Sequence, residues 1–315
     1  MSEPVSVYRR RRAIAVAALA GAFVIVVLAL RSCGGEAPQT ASSGPSTAAA
    51  ADTVAELPRG GRRIFPDFRV VAFYGAPQDE QLGALGIGTP AAAGKRLERV
   101  ARSYAKKTRP VLPAFELIAT IATAAPGADG MYRMHQTDEV IGEYLSAARA
   151  AKALLLLDIQ PGRGDFLSEV RRLERWLREP DVGIALDPEW HVKPGEVPGQ
   201  VIGSVTAEQV NAASEYVSRF VVDNNLPEKL FVVHQFTSDM IENKDRVAKQ
   251  SGLAVTMNVD GFGNRANKIS KYAQFTSERT RFHDGFKLFY EEDTDVMSPG
   301  AVLQMRPPPD LVVYE

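Results

Sequence analysis

One short stretch of the chain carries the residue types that acid–base chemistry needs. Residues 182–186 form an apolar run with turn residues on both sides, which predicts a buried strand. Pro188 has no N–H to give to a sheet, so it ends that strand. Asp187, Glu189 and Trp190 follow at its carboxyl end. A carboxyl group that is desolvated beside an indole keeps its proton to higher pH, and a group of this kind can act as a general acid.

This stretch allows two interpretations. In the first, Glu189 is a general acid, Asp187 orients it, and Trp190 offers a flat apolar face on which a sugar ring stacks. In the second, the acid pairs with a lysine or arginine in a loop, and the indole packs at the rim of the fold. The pattern alone leaves both interpretations open.

Apolar strands alternate with amphipathic helices from residue 69 onward. The predicted strands cover residues 69–75, 113–119, 153–159, 182–186, 230–235, 254–259, 285–290 and 310–315. The predicted helices cover residues 91–107, 138–151, 165–178, 206–224, 238–249, 267–281 and 298–305. Repeated strand–helix units predict parallel strands, and their number predicts an α/β fold of the (β/α)8 TIM-barrel type. Residues 64–68 are expected to cover the barrel bottom in place of an eighth helix.

An open doubly wound sheet is the alternative fold. It is disfavoured because no glycine-rich phosphate loop follows the first predicted strand.

In a barrel of this kind the functional site lies where the strands end. Glu189 and Asp187 stand there as the catalytic pair, with Glu291 or Glu116 as the second carboxylate. The expected substrate-binding residues are Tyr74, Asp158, Trp190, His234, Gln235 and Asp260. Glu116, Asp158 and Asp187 lie within or directly after apolar runs, where a charge is costly unless it is paired. For the other acids and the histidine, a structural role is the alternative.

The spacing of Asp187 and Glu189 resembles the fourth-strand acid of barrel glycoside hydrolases. In chitinase-like enzymes the last Glu of an Asp-x-Asp-x-Glu run is the general acid, although the earlier Asp position here is Ala185. In another large group of barrel hydrolases, the fourth-strand Glu pairs with a seventh-strand nucleophile, for which Glu291 or Glu292 stands here. The resemblance implies glycoside hydrolysis by two carboxyl groups.

A second resemblance covers the whole predicted barrel. It is carried by the motifs at residues 73–75, 186–190, 203–208, 233–236, 260–263 and 285–290. These motifs resemble an uncharacterised family of bacterial exported or membrane-anchored barrel proteins. The resemblance implies the barrel fold and a location outside the cytoplasm, and it implies no particular reaction.

The first 30 residues have the pattern of a membrane anchor. Four arginines close the basic segment 1–12, and the run 13–30 is uncharged and mostly apolar. As a helix this run spans roughly 27 Å, close to the roughly 30 Å of a bilayer core. The basic segment is expected to stay in the cytoplasm. The sequence therefore predicts a transmembrane or signal-anchor helix, with the barrel on the extracytoplasmic side of the cell membrane.

Cys33 offers a different attachment to the membrane. Residues 30–33 resemble a bacterial lipobox except at Arg31, so a lipoprotein attached through Cys33 is the alternative. Residues 31–60 are mostly Gly, Ala, Ser, Thr and Pro, which predicts a disordered linker. Residues 61–315 are then the barrel domain.

Composition narrows the function further. The formal net charge is −1, and no basic stripe is present, so nucleic acid is not an expected partner. The single cysteine excludes an intramolecular disulfide. Neither a metal nor another cofactor is expected, because no zinc-type ligand spacing occurs.

The sequence predicts a membrane-tethered, glycoside-hydrolase-like enzyme that acts on a cell-envelope polysaccharide or oligosaccharide. One alternative is a non-catalytic barrel that binds a glycan or an envelope protein. Another is a metal-dependent hydrolase or phosphodiesterase that uses Asp158, Asp187, Glu189, His234 and Asp260. Against the metal-dependent enzyme, the first strand carries no His-x-His pair.

Overall fold

Eight parallel strands close into a barrel in the computed structural model, which describes residues 54–276 and 282–315. The strands are β1 (Arg69–Gly75), β2 (Val111–Ala122), β3 (Leu154–Ile159), β4 (Val182–Leu186), β5 (Lys229–Gln235), β6 (Leu253–Val259), β7 (His283–Leu288) and β8 (Leu311–Tyr314). Each strand pairs with the next, and β8 pairs with β1. The predicted TIM barrel is confirmed, and the open doubly wound sheet is wrong because the strand order closes on itself.

Helices cover the outside of the barrel. They are α1 (Pro90–Arg102), α2 (Asp138–Ala150), α3 (Phe166–Arg172), α4 (Glu174–Leu177), α5 (Ala207–Asp223), α6 (Arg265–Phe275) and α7 (Pro299–Leu303). Side-chain oxygens cap most of their N-termini, and Thr206 with Gln209 forms a reciprocal capping box at α5. The predicted helix at residues 165–178 is divided into α3 and α4 at Leu173.

The predicted helix at residues 238–249 is wrong. Ile241–Glu242 instead forms a short parallel pair with Val205–Thr206, and a 3-10 turn follows at Lys244–Arg246. Asn243 between them has a φ of 54°, which a right-handed helix cannot accommodate. The crossover from β5 to β6 is therefore a loop over the carboxyl end of the barrel, where an α-helix was expected.

The segment before β1 closes the amino-terminal end of the barrel. Ile64, Phe65 and Phe68 are buried and pack against the lower interior side chains. Glu228 fixes the segment, because its Oε2 accepts hydrogen bonds from the backbone N–H groups of Ile64 and Phe65. The prediction that residues 64–68 cover the bottom is confirmed.

Side chains inside the barrel change from apolar to polar along the strands. The lower interior is filled by Val70, Ala72, Leu112, Ala114, Leu154, Leu156, Ala185, Leu230, Val232, Ala254, Leu311 and Val313. Closer to the carboxyl ends of the strands, or directly after them, lie Tyr74, Glu116, Asp158, Asp187, His234, Asn258, Lys287 and Glu315. We call these eight residues the interior polar cluster. They share one end of the barrel because alternate residues of a strand face the same side.

Leu57 and Arg59, which precede β1, pack against the folded barrel. Leu57 is buried, and the Arg59 guanidinium lies 2.7 Å from Glu98 Oε2 on α1.

No helix within residues 54–276 and 282–315 has the length and apolarity to cross a membrane. The predicted anchor at residues 13–30 and the alternative lipid site at Cys33 lie outside the described residues.

Glu169, a buried acid on α3, joins this helix to the carboxyl-terminal part of β2. Glu169 accepts hydrogen bonds from Arg133, His135, Thr120 and Arg172. Burial by itself would raise the pKa of Glu169. The His135 hydrogen bond and the charges of His135 and Arg133 outweigh burial and lower this pKa to about 2. Glu169 is therefore an ionised structural residue.

We expect Ile64→Ala to lower the free energy of unfolding by about 2–5 kcal/mol, because it leaves a cavity in a fully buried site at the barrel bottom. Urea denaturation measures this loss. Ile87→Ala is the matched control, since Ile87 is 42% exposed and its truncation leaves no cavity. Equal losses for both variants would contradict a packed barrel bottom.

Glu169→Gln is expected to lower stability at pH 7 by about 1–3 kcal/mol, because the partly buried Arg133 and His135 lose the charged acceptor of their hydrogen bonds. A carboxyl whose folded-state pKa is depressed stabilises the fold above its unfolded pKa and loses that contribution as the pH falls. The difference from wild type should shrink below roughly pH 4.5 and be lost as the pH falls through about 2. Urea denaturation across this pH range tests the window, with exposed Glu242→Gln as the control. A difference that stays constant with pH would exclude titration of Glu169 as its cause.

Candidate functional site

His234 lies at the centre of the interior polar cluster, between two carboxylates. Its Nδ1 is 2.8 Å from Asp260 Oδ2, and its Nε2 is 3.0 Å from Glu116 Oε1. Asp158 Oδ1 lies 3.9 Å from the same Nε2. Burial disfavours the imidazolium, but the hydrogen bonds to Asp260 and Glu116 outweigh burial and raise the pKa of His234 well above its usual value. His234 is therefore protonated and donates to both acids.

Lys287 on β7 supplies a second cation. Its Nζ is 2.7 Å from Glu315 Oε2, 3.2 Å from Asp260 Oδ2 and 3.7 Å from the centre of the Tyr74 ring. Burial opposes the charge, but the negative charges of Asp260, Glu315 and Asp187 raise the pKa of Lys287 well above its usual value. The lysine therefore stays charged inside the barrel.

Gly285 makes room for this arrangement. It faces inward two residues before Lys287, and a Cβ at position 285 would lie 2.6 Å from Asn258 Oδ1. Any larger residue would push Asn258 toward His234, whose Nδ1 is 3.3 Å from Asn258 Nδ2. Glycine at this position thus allows β6 and β7 to approach closely at the site.

Asp260 is held in its ionised form. Burial would raise its pKa, but the charge of Lys287, the His234 hydrogen bond and the Gly261 N–H lower the pKa of Asp260 far below its usual value. Asp260 directly follows β6 and is 4% exposed. An anchored carboxylate therefore faces the carboxyl end of the barrel.

Other carboxyl groups at the site are shifted in the opposite direction. Burial and the charge of Asp187 raise the pKa of Asp158, whose Oδ2 accepts a 3.3 Å hydrogen bond from Tyr74 Oη. Burial raises the pKa of Glu315 to about 7 against the opposing charge of Lys287. Burial and the charge of Asp260 raise the pKa of Glu189 well above its usual value. The site therefore contains proton donors beside an ionised carboxylate.

Glu189 is positioned by a 3-10 turn at Pro188–Trp190, directly after β4. The Gly203 N–H donates to the Glu189 carbonyl at 2.7 Å and fixes this turn from the following loop. A Cβ at position 203 would lie 2.2 Å from the His191 carbonyl oxygen, so this contact requires glycine. Glu189 is 8% exposed, and Trp190 beside it is partly exposed. The turn thus holds the acid at the barrel mouth.

The structure brings most of the predicted site residues together and leaves two outside. Tyr74 donates to Asp158, and His234 is hydrogen-bonded to Glu116 and Asp260. Asp158 Oδ1 lies 3.9 Å from His234 Nε2, and Asp187 is buried near them, where its charge acts on Asp158 and Lys287.

Gln235 faces away from the cluster. Its side chain binds the Thr237 carbonyl and the Lys244 ammonium group in the loop after β5. Adjacent strand residues point to opposite sides, so Gln235 cannot face inward together with His234. Its predicted contact with substrate is not supported by this orientation.

Glu291 is exposed and lies outside the cluster. β7 ends at Leu288, two residues before the predicted end, and Lys287 is the inward residue nearest that end because it lies two positions after the inward-facing Gly285. Glu291 is thus not placed as a second carboxylate, and the other candidate, Glu116, is wholly buried against His234.

Sequence reasoning missed Lys287, Glu315 and Asn258. Their signal was the period-two pattern inside the strands, in which Lys287 follows Gly285 and Glu315 follows Val313 at alternate positions. Lys287 lies within β7 and not after it, so it is not among the residues that follow the strands.

No protein-family model matches the chain, and no curated protein matches it either. Among solved structures, the chain is similar to a GH18 chitinase from the chitin utilization locus of Flavobacterium johnsoniae. The TM-score is 0.42 and the identity 7%, over 79% of this chain and 87% of the chitinase chain. It is also similar to a sialic acid aldolase of Ruminococcus gnavus, with a TM-score of 0.37 and 12% identity over 79% of this chain and 68% of the aldolase. At these values the likeness carries no information about the reaction.

Lys287→Met is expected to lower the free energy of unfolding by about 3–5 kcal/mol, because Asp260 and Glu315 lose their shared buried cation. Adding Glu315→Gln should recover part of the loss, since it removes one of the two acids left without a counter-charge. Urea denaturation of the single and double variants gives this coupling. Lys95→Met, at an exposed site, is the control. Strictly additive losses would contradict the ion pair.

Proposed function

We propose that this chain is a membrane-tethered, extracytoplasmic glycoside hydrolase that acts on a cell-envelope glycan, with Glu189 as the general acid. One observation carries the proposal. A buried acid, Glu189, and an anchored ionised carboxylate, Asp260, lie at the carboxyl end of the same closed barrel. Glycoside hydrolysis needs two carboxyl groups in opposite protonation states at one site.

Glu189 would protonate the glycosidic oxygen of the bond to be cleaved. Its raised pKa keeps the proton available near neutral pH, and the charge of Asp260 contributes to that shift. The charges of Lys287 and His234 act in the opposite direction and lower the pKa of Glu189 in part, so they stabilise its anion after proton transfer. The site can thus hold the proton and still stabilise its loss.

Asp260 takes the role of second carboxylate in this proposal. Lys287 and the Gly261 N–H hold its oxygens in place, so the negative charge is oriented before substrate binds. A fixed anion stabilises the positive charge that develops on a sugar ring during bond cleavage. Asp187 would contribute to the same negative potential from the end of β4.

Side chains around this pair suit a sugar. Trp190 is partly exposed next to Glu189 and offers a stacking face. The Tyr74 hydroxyl accepts a 2.8 Å hydrogen bond from Gln160 and donates one to Asp158, so these side chains have fixed orientations inside the barrel. These contacts support a polyhydroxylated substrate.

The cellular location rests on the first 30 residues of the sequence. A basic segment followed by an 18-residue uncharged run favours a cytoplasmic N-terminus and a barrel outside the cytoplasm. A tethered enzyme there meets the glycans of the cell envelope, which makes an envelope polysaccharide or oligosaccharide the proposed substrate.

We expect Glu189→Gln to lower kcat/KM for a cleaved envelope oligosaccharide by about 10²–10⁴-fold, because the amide cannot donate the proton. Asp260→Asn should also lower kcat/KM, and exposed Glu143→Gln on α2 serves as the control. Chromatography of released sugars from a panel of envelope oligosaccharides measures turnover. Unchanged cleavage by Glu189→Gln would refute the assignment. Binding without turnover by the wild-type chain would favour the non-catalytic glycan-binding barrel.

A further inference from the structure

Three ligand atoms for a metal ion converge inside the barrel. Glu116, Asp158 and His234 each offer one, and these atoms all lie within 4.8 Å of one another. Individual separations are 3.0 Å from His234 Nε2 to Glu116 Oε1 and 3.9 Å from the same nitrogen to Asp158 Oδ1. Neighbouring ligands of a tetrahedral ion with bonds of about 2.0–2.2 Å lie roughly 3.4 Å apart. The observed separations bracket that value.

Two oxygens of this group have no hydrogen-bond partner among the described residues. They are Glu116 Oε2 and Asp158 Oδ1, and both side chains have no exposed surface. A buried acceptor without a partner costs about 1–3 kcal/mol, and more if it is charged. Both oxygens belong to the residues that already supply ligand atoms, so a cation between them would satisfy both.

The histidine is already oriented as a metal ligand. Asp260 accepts from Nδ1 at 2.8 Å and is itself fixed by Lys287 and the Gly261 N–H. Metal-binding histidines commonly donate their second ring nitrogen to a carboxylate, which sets the tautomer and the ring plane. With Nδ1 engaged in this way, Nε2 is the nitrogen that faces Glu116 and Asp158.

We propose that Glu116, Asp158 and His234 bind one divalent transition-metal ion, with Zn²⁺ and Mn²⁺ as the best candidates. Imidazole nitrogen with two carboxylate oxygens suits these ions, whereas Ca²⁺ and Mg²⁺ prefer sites built of oxygen alone. Binding would release the protons that His234 Nε2 and Asp158 carry without the metal, and the two carboxylates would then balance the charge of a dication. The three residues leave coordination positions open for water or substrate.

A second histidine–glutamate pair, His135 with Glu169, has no unused acceptor and so differs from the proposed metal site. His135 Nε2 lies 2.9 Å from Glu169 Oε2, a separation close to that between His234 and Glu116. Arg133, Thr120 and Arg172 also donate to the Glu169 oxygens, so that carboxylate is fully used. His135 therefore provides a matched control within the same chain.

Isothermal titration of the full-length chain, freed of metal with a chelator and desalted, tests the site with Zn²⁺, Mn²⁺, Mg²⁺ and Ca²⁺. We expect one ion per chain and at least about 100-fold tighter binding of Zn²⁺ or Mn²⁺ than of Ca²⁺ or Mg²⁺. Asp158→Asn and His234→Gln should weaken binding by about 100-fold or more. His135→Gln should change it by less than about threefold.

X-ray absorption of the Zn²⁺-loaded wild-type chain needs no variant and so does not depend on whether His234→Gln folds. It should show imidazole scattering with a Zn–N distance of about 2.0–2.1 Å together with oxygen ligands. The proposal is overturned if no ion binds at one per chain, if Ca²⁺ or Mg²⁺ binds as tightly, or if the spectrum lacks a histidine ligand. Loss of binding in His135→Gln would also overturn it. None of these measurements depends on glycan cleavage, so the metal site and the proposed hydrolysis can fail separately.

Discussion

The site depends on the confinement of His234 between Glu116 and Asp260. Several carboxyl groups share the carboxyl end of the barrel with this imidazolium and with Lys287, and an unpaired charge there is costly. At Asp260 the charges of Lys287 and His234 outweigh burial and lower the pKa, whereas at Glu315 burial outweighs the charge of Lys287 and raises the pKa. Opposite protonation states therefore follow from the balance between burial and the two cations at each carboxyl group.

The apolar lower half of the barrel makes this arrangement possible. Closely packed aliphatic side chains and the segment around Ile64 and Phe65 fill the space below the polar cluster. Electrostatic interactions above such a packed interior are weakly screened. The same packing sets the register of each strand, and the register decides which residue of each strand faces inward. Stability and site geometry thus have a common origin.

Two histidine–glutamate pairs among the described residues show how hydrogen-bond partners determine the role of a carboxylate. Thr120, Arg133 and His135 donate hydrogen bonds to Glu169, and the pKa of Glu169 falls to about 2. Glu116 has a histidine on one oxygen, while its Oε2 has no hydrogen-bond partner within the described residues. A satisfied acid holds elements together, whereas an acid with unused acceptor capacity can still bind a ligand.

The sequence by itself determined the barrel and the positions of most site residues along the strands, because strand number and period-two alternation are local patterns. It placed Tyr74, Asp158, His234 and Asp260 at strand ends, where the structure has them. Only the tertiary structure decided that Lys287 and not Glu291 faces the site, and that residues 238–249 form a loop. Strand ends and contacts across the barrel depend on closure between residues distant in the sequence, and no local pattern encodes those distances.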